Sequence, residues 1–161
     1  MKGDPKIIDL LNEVLTNELT SINQYFLHAR MYENWGFRHL GKATYEESVG
    51  EMKHADKLVK RILFLDGLPN LQDLHTLGIG ETVPEALQSD LDTEMRGRAT
   101  IITAIAACET AHDYVSRDML TDIQVDTEEH IDFLETQIRV IDDVGLQNYL
   151  QSQSGHAEAS D

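Results

Sequence analysis

Helix breakers are scarce in this chain, and their placement divides it into four long segments that favour helix. Prolines occur only at positions 5, 69 and 84. Asp4-Pro5 reads as an N-cap with proline at the first helical position, where its missing N–H loses no hydrogen bond. From there to about Trp35 nothing interrupts a helix. Gly36 and Gly41 bracket a short turn, and a second helix is expected from about His39 to Asp66, stopped by Gly67-Leu68-Pro69-Asn70. A long connection carrying Gly78 and Gly80 leads to Pro84. A third helix is expected from about Pro84 to His112 and a fourth from about Asp113 to Asp143, where Gly145 ends it. Leu146–Gln151 suits a short fifth helix, and Ser152–Asp161 reads as a disordered tail.

Short links join the first helix to the second and the third to the fourth, so each pair is expected to be antiparallel. The link between the pairs is long enough to run the length of the bundle. The expected fold is all-α: a single four-helix bundle over residues 1–153 with one long crossover connection and a short fifth C-terminal helix, residues 154–161 lying outside it.

Core-facing stripes follow steps of three and four along each helix. The first carries Leu11, Leu15, Glu18, Ile22, Tyr25, Ala29 and Tyr32; the second Leu40, Thr44, Glu47, Glu51, His54, Leu58 and Leu65. The third carries Leu87, Leu91, Glu94, Arg98, Ile101, Ile105 and Cys108; the fourth Leu120, Ile123, Thr127, His130, Leu134, Gln137 and Ile141. Polar residues on these stripes repeat. Glu94 stands 76 residues after Glu18, and His130 stands 76 after His54. Each half of the chain thus supplies a carboxylate on one helix and a histidine on the next. In the first half a second carboxylate, Glu51, precedes its histidine by three positions. The same offset predicts a carboxylate at position 127, where the chain has Thr127.

Three inward carboxylates need compensation, because an unpaired buried charge costs several kcal/mol. Arg98 alone shares a stripe with them, and one guanidinium cannot offset three carboxylates. Metal ions can, and mixed carboxylate and imidazole ligation suits non-haem iron, manganese or zinc. Glu18, Glu51, His54, Glu94 and His130 are therefore the expected metal ligands. Tyr25 shares the stripe of Glu18 and can donate a hydrogen bond or an electron beside them, or serve only as core. A net charge of −16, from 13 basic and 29 acidic residues, argues against nucleic acid and suits cations as well as simple solubility. No apolar run is long enough to span a bilayer, and the first residues lack a secretory h-region. The single cysteine, Cys108, fits a reducing compartment, so a cytoplasmic protein is expected.

The run Glu51-Met52-Lys53-His54-Ala55-Asp56-Lys57, then Arg61 through Gln72 (Arg-Ile-Leu-Phe-Leu-Asp-Gly-Leu-Pro-Asn-Leu-Gln), resembles bacterioferritin, a branch of the ferritin-like superfamily. So do Asn23-Gln24-Tyr25-Phe26-Leu27-His28, Asp113-Tyr114-Val115-Ser116-Arg117-Asp118 and His130 through Gln137. The matched segments fall on all four helices, and the resemblance extends to about Gln153. It implies a ferritin-like bundle in a hollow shell of 24 subunits that takes up Fe(II), oxidises it and stores ferric mineral. It implies a di-iron ferroxidase centre at Glu18, Glu51, His54, Glu94 and His130, with Glu51 bridging. A second bridging glutamate belongs where this chain has Thr127. The resemblance also implies one haem b between two subunits, held axially by Met52 from each, and a small ferredoxin as reductant for iron release.

Met52 lies about 100° around its helix from Glu51, on an outer face, where residues alone suggest only an apolar dimer contact. Thr127 offers one neutral oxygen and a shorter reach. Its neighbours Asp126 and Glu128 are turned about 100° to either side, toward solvent or a neighbouring subunit. Some family members place His and Asp on the cavity wall where this chain has Glu46 and Gly50. These departures lead to three expectations. The chain is an iron-storage subunit with reduced ferroxidase activity, a haem-carrying structural subunit of a mixed shell, or a fully active ferroxidase. A rubrerythrin-like peroxide reductase lacks its Cys-x-x-Cys module here. The remaining histidines, at 28, 39, 75, 112 and 156, are expected on the surface or in loops. Asp118, Asp122, Asp126 and Glu129 read as a solvated face or as the lining of shell pores.

Overall fold

The computed structural model describes residues 1–155, which form five helices and, among the described residues, no strand. These are α1 (Pro5–Asn34), α2 (Arg38–Phe64), α3 (Val83–Thr110), α4 (Tyr114–Val144) and α5 (Leu146–Ser154). Local chemistry sets most of the ends. The Asp4 carboxylate accepts from the Lys6 N–H at 2.9 Å, with Pro5 opening α1 as its fixed φ allows. Thr82 caps α3 and Asp113 caps α4 through the N–H of Ser116. Asp66 (φ 58) and His112 (φ 57) adopt the left-handed conformation just past α2 and α3, ending both helices slightly earlier than the breakers suggest.

The C-terminal expectation needs one correction. Ser152–Ser154, read as tail, belong to α5. Tyr149 anchors that helix, almost wholly buried against the bundle with its hydroxyl donating to Gln137 Oε1 at 2.8 Å. The rest of the expected tail, 156–161 with His156, lies outside the described residues.

The α1/α2 and α3/α4 pairs pack together, and the crossover from α2 to α3 runs along α1 as expected. Polar residues spaced along one side of α1 hold it there. Asn12 receives the N–H of Asn70, Thr20 that of His75, Gln24 that of Gly78 and His28 that of Gly80. Gly80 is required at its position, because a Cβ there would collide with the backbone of Ala86.

Two apolar clusters fill the bundle. One contains Leu11, Leu15, Leu58, Ile62, Ile101 and Ile123; the other, toward the α5 end, contains Tyr32, Leu40, Leu87, Leu134 and Tyr149. Burial of such side chains contributes about 1.5–3 kcal/mol each and fixes the helix register. Between the clusters the interior turns polar.

Candidate metal centre

Glu18, Glu51, His54, Glu94 and His130 are all buried in that polar belt, as their stripes predict. His54 Nδ1 lies 3.1 Å from both Glu18 Oε2 and Glu51 Oε2. Across the bundle, His130 Nδ1 lies 2.8 Å from Glu94 Oε1. The Tyr25 hydroxyl donates to the same Glu94 oxygen at 2.5 Å, and its ring meets His130 edge-on at 5.2 Å between centroids. Tyr25 thus holds a hydrogen bond to one of the expected ligands.

Among the described residues, two groups of potential ligand atoms form, each with its atoms within 4.8 Å of one another: Glu18, Glu51 and His54, and Glu47, Glu51 and His130. Glu51 belongs to both. Glu94 belongs to neither, but touches His130 directly. The arrangement is therefore two adjacent groups of candidate ligands joined through one carboxylate.

Electrostatics mark the belt as short of positive charge. Burial, then the charge of Glu18, pushes the Glu51 carboxyl up to about 8. Burial likewise lifts Glu47 to about 7, against the opposing pull of His130, and raises Glu94. For His54 burial disfavours the charged ring, yet hydrogen bonds to Glu18 and Glu51 and their charges outweigh it, holding the imidazole up to about 11. His130 is raised in the same way, with Glu94 as the principal partner opposing the effect of burial. Protonated imidazoles are the counter-charges available inside. Arg98, the one guanidinium on a stripe, is half-exposed and pairs outward with Glu128 Oε1 at 2.8 Å.

Thr127 is buried at the predicted position, and its hydroxyl donates back to the Ile123 carbonyl at 2.9 Å. It brings no charge to the belt. Glu128 does not replace it, being held outside by Arg98 and Gln124. Asp126 behaves differently from its helical phase. Though half-exposed, it reaches His54, with Oδ2 2.8 Å from Nε2. Glu47, Gly50, His54, Asp126 and His130 line a cavity of about 360 Å³ at this side of the bundle.

His28 corrects another expectation. It is wholly buried, donating from Nδ1 to Asp90 Oδ1 at 2.8 Å while Nε2 accepts from Gly80. Gln24 also donates to Asp90, at 2.8 Å. This network ties the crossover to α1 and α3 beside the metal-ligand belt. Its signal was available in sequence: Gln24 and His28 are one turn apart, and Asp90 is one turn before Glu94. His39, His75 and His112 are exposed as expected, and Cys108 is a buried thiol. Asp118, Asp122 and Glu129 are exposed.

Met52 is 59% exposed, so its thioether is open on the outer face of α2. Phe26 on α1 and Tyr45 and Val49 on α2 are also exposed, with the Phe26 and Tyr45 rings 6.5 Å apart. A soft thioether donor is chemistry suited to haem iron, and the Arg30 guanidinium lies over the two aromatic rings, 5.6 Å from Phe26 and 4.7 Å from Tyr45. No helix is long and apolar enough to cross a membrane among the described residues.

Comparison with known proteins agrees with this architecture. The ferritin-like domain family matches residues 8–144. Bacterioferritin of Brucella melitensis is 43% identical over the whole of both chains. Bacterioferritin of Mycobacterium tuberculosis is 47% identical over 92% of this chain and 94% of its own. A bacterial ferritin of Pseudomonas aeruginosa is 48% identical over 95% of this chain and 99% of its own.

Proposed function

This chain belongs to the bacterioferritins, a branch of the ferritin-like iron-storage family, and we propose that it is a cytoplasmic shell subunit that gathers Fe(II) at the belt between its apolar clusters. The observation that carries this reading is the pair of ligand groups sharing Glu51, whose carboxylates, among the described residues, have histidines and no arginine or lysine as ion-pair partners. Fe(II) is the substrate. Glu18, Glu51 and His54 bind one ion, and His130, Glu94 and Glu51 face the second. Two Fe(II) ions each give one electron to O2, which leaves with two protons as hydrogen peroxide. The ferric ions pass into the shell as mineral.

Oxidation at this centre is slow compared with a site bearing two bridging carboxylates. Thr127 keeps its hydroxyl on its own helix, so only Glu51 couples the two positions. The residues' part in the reaction is to hold the metals and move protons. His54 and Glu51 release theirs on binding, because metal ligands must be deprotonated. Tyr25 keeps one oxygen of Glu94 fixed by its hydrogen bond.

Met52 would hold haem b together with its symmetry mate in a homo-oligomer of 24, Phe26, Tyr45 and Val49 covering the apolar faces. Bound haem supplies one-electron transfer, which suits mineral reduction by an external donor such as a small ferredoxin. A second reading, a haem-carrying structural subunit in a mixed shell, is favoured by the pairing of an open Met52 with the uncharged Thr127. Shells assembled from this chain alone and mixed aerobically with about two Fe(II) per chain separate the two. Slow oxidation with iron retained in the shell supports the first reading; iron left in the ferrous state supports the second. Rapid stoichiometric oxidation would contradict the impaired centre.

A further inference from the structure

We propose that Glu47 supplies the carboxylate which Thr127 withholds, completing the second metal position as a terminal ligand from α2 instead of a bridge from α4. This rests on the metal-centre reading above and deepens it.

Glu47 precedes Glu51 by one helical turn, so both side chains leave α2 on the same face. Its Oε1 lies 3.6 Å from His130 Nδ1, and a Glu47 oxygen, a Glu51 oxygen and a His130 nitrogen fall within one 4.8 Å group. Glu51 and His130, both buried, are already placed at the centre by independent contacts with His54 and Glu94. Glu47 therefore joins a framework held from three helices, and the grouping is more than a local acidic patch.

The alternatives for Glu47 are poor. Among the described residues its carboxylate makes no hydrogen bond, and its one ion-pair partner is His130. Arg98, the basic residue on the inner stripes, is committed to Glu128. One turn on, Gly50 lines the same cavity, and a side chain there would meet nothing within 4 Å, so Glu47 has room to swing over the space it shares with His130. A carboxylate with this freedom can close on a cation without a backbone shift.

The position of the replacement matters for chemistry. A residue at 127 on α4 would reach both metals and bridge them. Glu47 approaches from beside His130 and reaches the second metal only. The second ion is then retained while the coupling between the two ions stays with Glu51. Two-metal occupancy and slow oxidation are thereby compatible in one centre.

Anaerobic titration of assembled protein with Co(II), followed by visible absorption and calorimetry, tests this. The wild type is expected to bind about two Co(II) per chain, and Glu47→Gln to lose the second while keeping the first. Thr127→Glu placed in the Glu47→Gln background is expected to restore it, which also shows that the variant remains folded. Glu46→Gln, removing an exposed neighbouring charge, is expected to leave both. The inference is overturned by a single tight ion in the wild type, by unchanged binding in Glu47→Gln, or by an equal loss in Glu46→Gln. Each of those outcomes leaves the first site intact. No Co(II) binding at all overturns the metal-centre reading with it.

Discussion

Asp126 Oδ2 lies 2.8 Å from His54 Nε2, on the far side of the ring from Glu18 and Glu51. A proton held on Nε2 by this carboxylate leaves Nδ1 as the nitrogen that faces a metal. The pair is thus a carboxylate–histidine orienting unit, built from a residue whose helical phase points to solvent. Removal of such a partner typically weakens metal affinity 10–100-fold. Asp126→Ala should weaken the first Co(II) or Fe(II) site by about that factor, with the fold unchanged by circular dichroism. Unaltered affinity would show the contact to be incidental.

Thr127→Glu should act in opposite directions on stability and rate. Without metal it adds another buried carboxylate to a belt already poor in positive charge, lowering stability by roughly 1–3 kcal/mol. With Fe(II) present it restores a second bridge, and stopped-flow oxidation should accelerate about tenfold or more, equivalent to about 1.4 kcal/mol or more off the barrier. Thermal melts with chelator and with metal read the first effect. A rate equal to wild type would mean that Thr127 is not what limits the centre.

Met52→Leu keeps an apolar side chain on the outer face of α2 but removes the sulfur. Haem content should fall from about one per two chains to near zero, while shell size by light scattering stays the same. Haem retained at the wild-type level would place its ligand elsewhere.

Metal binding should strengthen with pH. The His54 ring is held protonated up to about 11, because its hydrogen bonds to Glu18 and Glu51 outweigh the effect of burial. Glu51 is lifted by burial to about 8, so below that pH it also carries a proton. A metal at Nδ1 must displace the His54 proton, and between pH 6 and 8 the Glu51 proton as well. Affinity should therefore rise with pH, by about tenfold per unit for each proton released. Calorimetry in two buffers of different ionisation enthalpy counts those protons. A flat profile would contradict a protonated His54 between Glu18 and Glu51.

Much of this was legible in the sequence, for identifiable reasons. Asp4-Pro5, Gly67-Leu68-Pro69 and Gly145 act through local backbone chemistry, so the four long helices could be placed to within a few residues. The 76-residue offset between Glu18 and Glu94, and between His54 and His130, reflects the matching of two helical hairpins. It brought four polar residues to one belt, and Glu51, three positions before His54, makes the fifth. Helical phase alone failed at Arg98 and Asp126. Arg98 is long enough to leave its stripe for water and Glu128, while Asp126 sits beside a cavity into which a side chain can turn. His28 was missed because its partner, Asp90, lies 62 residues away and the crossover that completes its hydrogen bonds has no periodicity to read. The end of α5 was misplaced because Ser152 and Ser154 look like linker residues, whereas Tyr149 anchors the whole segment.

The most direct test of the metal centre is anomalous diffraction at the iron edge from crystals soaked anaerobically in Fe(II). A peak within bonding distance of Glu18, Glu51 and His54 is predicted, with a second, weaker one between Glu51 and His130. Iron found only on the outer surface, with His54 still hydrogen-bonded to both glutamates, would contradict the account.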